Sequence, residues 1–172
     1  MKETKNDYSE KVFRIMNTRI KIDLLTYIQE LTKLNNGLKL YIGTDSQNNG
    51  RVTTYATVIV FHNGSGGHVI YNKEEIPIIR DRFTKLWMEV DRSVGLANYL
   101  KANGVDCIDF IDLDYNPNPK FWSNRVLDSA IGYVVANGFV ARWKPNACYA
   151  SIVADKLCKV KKNRRRKLKA TL

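Results

Sequence analysis

The sequence predicts an α/β fold: a mixed β-sheet flanked by helices, with an extra helix ahead of it. Two observations carry this expectation. Three strand-like segments follow one another between residues 38 and 72, and strands and helices then alternate to about residue 160. The composition agrees, with 44% hydrophobic and 26% charged residues in a chain of 172. That is ordinary for a globular protein and long enough for one hydrophobic core. No apolar run approaches the roughly 20 residues of a membrane-spanning helix. The start, MKETKNDYSEK, is polar and reads as no secretory signal.

Residues 1–20 carry no clear pattern. From 22 to 34, Leu24, Leu25, Ile28, Leu31 and Leu34 recur at helical spacing, and Asn35-Asn36-Gly37 supplies the stop. Residues 38–44 read as a first strand. Residues 51–61 (RVTTYATVIVF) form the clearest strand, rich in β-branched residues. A glycine-rich turn, HNGSGG, leads to a third strand at 68–72, completing an antiparallel meander. A long helix is expected over 82–103, with Leu86, Val90, Val94, Ala97 and Leu100 on one stripe. A fourth strand follows at 107–113. Pro117-Asn118-Pro119 opens another helix, 139–143 forms a fifth strand, and a last helix spans 147–160. Right-handed crossovers place the fourth strand beside the first and parallel to it. The crevice between their carboxyl ends is then a topological switch point, where open α/β sheets bind ligands.

Acidic residues fall at that crevice. Asp45 ends the first strand in Gly43-Thr44-Asp45-Ser46-Gln47, and Asp114 ends the fourth in Asp112-Leu113-Asp114-Tyr115-Asn116. Glu89 borders an apolar helix face, and Asp155 is flanked by apolar residues in the last helix. Each has a plainer role open to it. Asp45 fits a turn, Asp114 fits a cap with Asp112 as the ligand instead, Glu89 fits a pair with Arg92, and Asp155 fits a pair with Lys159. Together, four acids on four elements suit a divalent cation, which Mg²⁺-type chemistry binds through oxygen. Cys107, Cys148 and Cys158 form no C-x-x-C pair, so reduced thiols are expected rather than a zinc site or disulfides.

The net charge of +11 is unevenly placed. Eight basic residues lie between Lys159 and Lys169, leaving +3 elsewhere. Such a tail favours polyanions and salt-sensitive binding. The expected organisation is an N-terminal helical extension (1–37), a main domain (38–160) and a basic tail (161–172).

The element order and the acids resemble the ribonuclease H-like superfamily. That resemblance implies a five-stranded mixed sheet in the order 3-2-1-4-5, with catalytic acids on strand one, the first helix, strand four and the last helix. Gly43-Thr44-Asp45-Ser46, Met88-Glu89-Val90 and Val153-Ala154-Asp155-Lys156-Leu157 carry it. Asp112-Leu113-Asp114-Tyr115-Asn116-Pro117 and Trp143-Lys144-Pro145-Asn146 are similar to a YkuK-type family of bacteria and their phages, which implies a cytoplasmic setting in a bacterial cell or infected host. The resemblance implies that Asp45, Glu89, Asp114 (or Asp112) and Asp155 hold two Mg²⁺ or Mn²⁺ ions, about 4 Å apart, for phosphodiester hydrolysis. RNA, hybrid or branched DNA is the expected partner. Ser46, Gln47, Asn116, Lys144, Arg164, Arg165 and Arg166 are the expected substrate contacts, with Lys120 and Arg142 in support. Two departures stand out: Lys144 occupies the loop where ribonucleases H often carry a histidine, and no basic handle lies between the first two helices. A non-catalytic nucleic-acid or protein adaptor on the same fold is the alternative function.

Overall fold

The computed structural model describes residues 8–18, 20–64, 67–146 and 148–169, with side chains as far as 159. The elements are β1 (Phe13–Ile15), β2 (Lys21–Ile22), α1 (Leu24–Leu34), β3 (Lys39–Asn49), β4 (Val52–His62), β5 (Gly67–Pro77), α2 (Arg82–Ala102), β6 (Ile108–Leu113), α3 (Asn124–Ala136), β7 (Ala141–Trp143) and α4 (Tyr149–Lys169).

The sheet is mixed and seven-stranded, in the order β2-β1-β5-β4-β3-β6-β7. Its last five members reproduce the expected 3-2-1-4-5 order, with β3, β4 and β5 antiparallel and β6 and β7 parallel to β3. The expected count of five strands is corrected by β1 and β2. They are too short to show a period, and they form only because β1 finds the free edge of β5. The N-terminal extension is therefore part strand as well as part helix.

Further boundaries differ from expectation, among them the far end of β5, which reaches Pro77. β3 runs five residues past Thr44, because Gln47, Asn48 and Asn49 pair with Thr54, Thr53 and Val52. A long ladder overrides their weak β-propensity. α3 begins at Asn124, after turns at Pro117–Ser123 held by Asn116 and Asn118 side chains accepting from Asn118 and Lys120 N–H groups. α4 continues to Lys169. The expected boundary at residue 161 therefore falls inside a helix.

Strand alternation divides the core. Leu40 and Ile42 of β3, with Ile59 and Phe61 of β4, face a large apolar cluster shared with α1, α2 and α3. Tyr41 of β3 and Ala56, Val58 and Val60 of β4 face the other way, onto Ala150, Ala154 and Cys158 of α4. α4 lies very close to the sheet. A Cβ added to Gly43 would meet the Ser151 backbone nitrogen at 2.8 Å and the Ala150 carbonyl carbon at 3.0 Å. Gly43→Ala is therefore expected to push α4 outward and cost about 1–3 kcal/mol, read as a lower urea midpoint.

Candidate active site

β3 and β6 are parallel neighbours whose last registered pair is Gly43 with Asp112. Asp45 and Asp114 both lie beyond that pair along their strands. Asp45 lies inside β3, opposite Ala56, rather than at the strand end. It is mostly buried, and its carboxyl is pushed up to about 7. Burial is the main cause, with the Asp155 and Asp114 charges adding to it, while a hydrogen bond from the Ser46 N–H and the Lys85 charge act against it.

The next residue points to the opposite face. Ser46 is buried, and its Oγ donates to Glu89 Oε1 at 2.5 Å. The expected substrate contact at Ser46 is corrected: its hydroxyl is spent holding Glu89. Tyr115 Oη donates to the Leu86 carbonyl at 2.6 Å and stands 3.5 Å from Glu89 Oε2. Glu89 is held well above the ordinary carboxyl range by burial, with the Asp45 and Asp114 charges adding to it. The alternative pairing of Glu89 with Arg92 does not form. Arg92 donates to Glu74 instead, across β5.

Asp114 lies just past the end of β6, and its Oδ1 is 2.6 Å from Lys144 Nζ. It therefore already has a basic partner. Asp155 pairs with Lys159 one turn along α4, at 2.5 Å. Both pairs are partly open to solvent, where such bridges are weak.

Asp112 is different. Its carboxylate takes two hydrogen bonds from Arg142, at 2.7 and 2.9 Å, and one from the Ala150 N–H at 2.8 Å. It thereby satisfies a free donor in the first turn of α4. The Arg142 guanidinium lies 4.5, 4.6 and 5.2 Å from the ring centroids of Tyr41, Phe110 and Tyr149. The expectation that Arg142 grips a nucleic-acid backbone is corrected: this guanidinium ties β6, β7 and α4 together.

Gln47 and Asn116 are half-buried at the crevice. Asn116 Oδ1 is taken up by the Asn118 N–H at 2.9 Å. Lys120 is exposed in the turns before α3. The side chains of Arg164, Arg165 and Arg166 lie outside the described residues. Sequence reasoning missed Lys85, whose Nζ donates to the Ser46 carbonyl at 3.2 Å, and the tether from Tyr115. The i,i+4 spacing of Lys85 and Glu89 was the available signal.

As a donor set, these acids suit a hard divalent cation: all four offer carboxylate oxygen, and the two most buried make no ion pair among the described residues. Among the described residues, no group of three or more His, Cys, Asp or Glu side chains is gathered closely enough to enclose a metal as it stands. Strand alternation contributes to that spread, since Asp45 faces α4 and Glu89 meets β3 from the α2 side.

The fold defines an α/β protein with a mixed sheet whose parallel β3–β6 pair marks a switch point, with Asp45 and Asp114 just past its last registered pair. A family model described as ribonuclease H-like matches residues 20–159, and the chain belongs to that family. No curated protein and no solved structure matches it. No helix among the described residues is long and apolar enough to cross a membrane.

Proposed function

We propose that the protein hydrolyses phosphodiester bonds in nucleic acid with the help of divalent metal. The observation that carries this is the burial of Asp45 and Glu89 without a paired cation, beside the charges of Asp114 and Asp155. Burying unpaired acids this way is costly, and groups perturbed by burial cluster at functional sites. Membership of the ribonuclease H-like family supports the reading, since its nucleases generally use divalent metals and its fold generally binds nucleic acid.

Asp45, Glu89, Asp114 and Asp155 would hold two Mg²⁺ or Mn²⁺ ions. When bound, such ions supply an activated water and stabilise the leaving oxygen. Ser46 fixes the Glu89 carboxylate, with Tyr115 beside it. Lys144, 45% exposed at the crevice mouth, offers a cation to a substrate phosphate. Gln47 and Asn116 flank that path, and the basic residues Arg164, Arg165 and Arg166 add phosphate contacts further out. Removing Lys144, as Lys144→Met, is expected to lower the slope of log affinity against log salt by about 0.7–0.9, the value of one phosphate contact.

The test is cleavage of labelled RNA, RNA–DNA hybrid and branched DNA with Mg²⁺ or Mn²⁺, wild type against Asp45→Asn. Cleavage by the wild type alone supports the reading. If both proteins are inert on every substrate and calorimetry detects no metal binding, it fails. The Lys144–Asp114 and Lys159–Asp155 pairs favour a second reading, a non-catalytic nucleic-acid- or protein-binding adaptor, because they neutralise two acids without metal. Nucleic-acid binding that ignores Mg²⁺ and depends on the basic C-terminal segment would select it.

A further inference from the structure

A ladder of three aromatic rings stands on the outer side of α2. Phe83, in the first turn, is 46% exposed. Its ring lies parallel to that of Trp87 one turn on, with centroids 6.1 Å apart and planes at 3°. Trp87 is half-buried and packs on Tyr133 of α3 at 5.3 Å, with the planes at 42°. Tyr133 Oη donates to Asp91 Oδ1 at 3.1 Å. Two helices and a hydrogen bond therefore brace the ladder, and Phe83, its outermost ring, is the one left largely open to solvent.

The surroundings of this shelf are basic. Arg80 and Arg82 precede Phe83 and are exposed, as are Arg125 in the first turn of α3, the helix that Trp87 touches through Tyr133, and Lys120 in the turns before it. Three acids lie in the same region. Asp81 is engaged in capping α2 through the Thr84 N–H at 2.6 Å, Asp91 accepts from Tyr133, and Asp128 is exposed on α3. The shelf lies on the same helix as Glu89. Phe83 is six residues before Glu89, about 9 Å along the helix axis. Between them, Lys85 reaches the Ser46 carbonyl. An exposed phenylalanine alone is unremarkable on a protein surface. A braced stack preceded by two exposed arginines, on the helix that carries Glu89, has a more specific use in a protein read as a nuclease.

We propose that Phe83 is a stacking platform for an unpaired base of a single-stranded nucleic acid, with Arg80 and Arg82 holding the adjacent phosphates. The inference rests on the nuclease reading for its substrate class and adds strandedness to it. A base inside a duplex has both faces covered by its neighbours. Only an unpaired or splayed base can lay a face on a protein ring. The rigid ladder also lowers the entropy lost on binding, because the ring is already placed.

The test measures anisotropy of a short fluorescein-labelled oligo(dT) in low-salt buffer containing Ca²⁺, an oxygen-binding cation that neutralises the carboxylates but lacks the tight octahedral geometry of Mg²⁺, with the oligonucleotide checked for cleavage on a gel. The proteins are full-length wild type, Phe83→Ala and Phe83→Tyr. Loss of one stacked base is expected to weaken binding by Phe83→Ala about tenfold, while Phe83→Tyr, which keeps the ring, stays close to wild type. A blunt duplex of the same length should compete poorly. The proposal is overturned if Phe83→Ala binds like wild type, if both variants lose equally, or if the duplex competes as well as the single strand. It is also overturned if Phe83→Ala alters only self-association in sedimentation, which would make the shelf a protein contact. A wild type that binds no nucleic acid of any form removes the nuclease reading too. A wild type that binds while Phe83→Ala changes nothing removes the stacking platform alone.

Discussion

Asp45→Asn is expected to abolish metal-dependent cleavage, by a thousandfold or more, and in the same protein to raise metal-free stability. The two effects share one cause. The buried Asp45 carboxyl titrates at about 7, against an ordinary value of 3.8. Its folded-state value is raised, so the folded protein binds the proton more tightly than the unfolded chain. The stabilisation from that proton is complete below about pH 4 and is lost as pH rises through about 7. Above pH 7 the charge is buried at full cost. The asparagine variant, which has no charge to bury, is expected to be more stable by about 2–4 kcal/mol there, with little difference at pH 4. Thermal melts in chelator at pH 4, 6 and 8 measure this directly. Mn²⁺ is expected to raise the wild-type midpoint more at pH 8 than at pH 6, because the deprotonated carboxylate is the ligand. A variant that unfolds at the wild-type midpoint at every pH would show that Asp45 carries no such strain.

The second large effect separates two aspartates that lie two positions apart. Asp112→Ala leaves the Arg142 guanidinium, 13% exposed, without its counter-ion, and leaves the Ala150 N–H uncapped. Removing one partner of a buried ion pair typically costs about 3–5 kcal/mol, so this variant is expected to unfold at much lower urea. Asp114→Ala breaks only a partly exposed bridge, worth about 1 kcal/mol or less, and should keep its stability. It is expected to lose Mn²⁺ affinity instead. Calorimetry and urea titration on both variants decide the matter. If Asp112→Ala loses metal while staying stable, and Asp114→Ala behaves as wild type, the two roles are reversed.

Much of this fold was legible in the chain. The β-branched run at 51–61 predicts β4 because strand propensity and turn residues agree there. The stripe from Leu86 to Leu100 predicts α2 to within a residue at its far end, where Asn103 and Gly104 stop it. The β1 and β2 strands were not legible. Three and two residues carry no period, the β5 partner of β1 lies some fifty residues away, and β2 forms only against β1. The long ends of β3 and β5 were missed for a related reason. Asn48, Asn49, Glu74 and Glu75 are poor strand residues, and cross-strand pairing with β4 holds them. The order of the acids along the chain pointed to the crevice. Their individual partners did not follow from it, since strand alternation alone put Asp112 and Asp114 on the same face.

By itself, then, the sequence determined the alternation of strands and helices, the parallel β3–β6 neighbours and the position of Asp45 and Asp114 past their last registered pair. These follow from local periodicity and from the handedness of crossovers, which need no knowledge of distant contacts. Only the tertiary structure decided what each acid does there. It took Asp112 out of the crevice into the Arg142 clamp, gave Asp114 to Lys144, used Ser46 to hold Glu89, and buried Asp45 against α4. The physical reason is that the charge state and partner of a carboxylate are set by burial and by neighbours remote in sequence. Gly43, which lets α4 settle onto β3, brings those neighbours within reach.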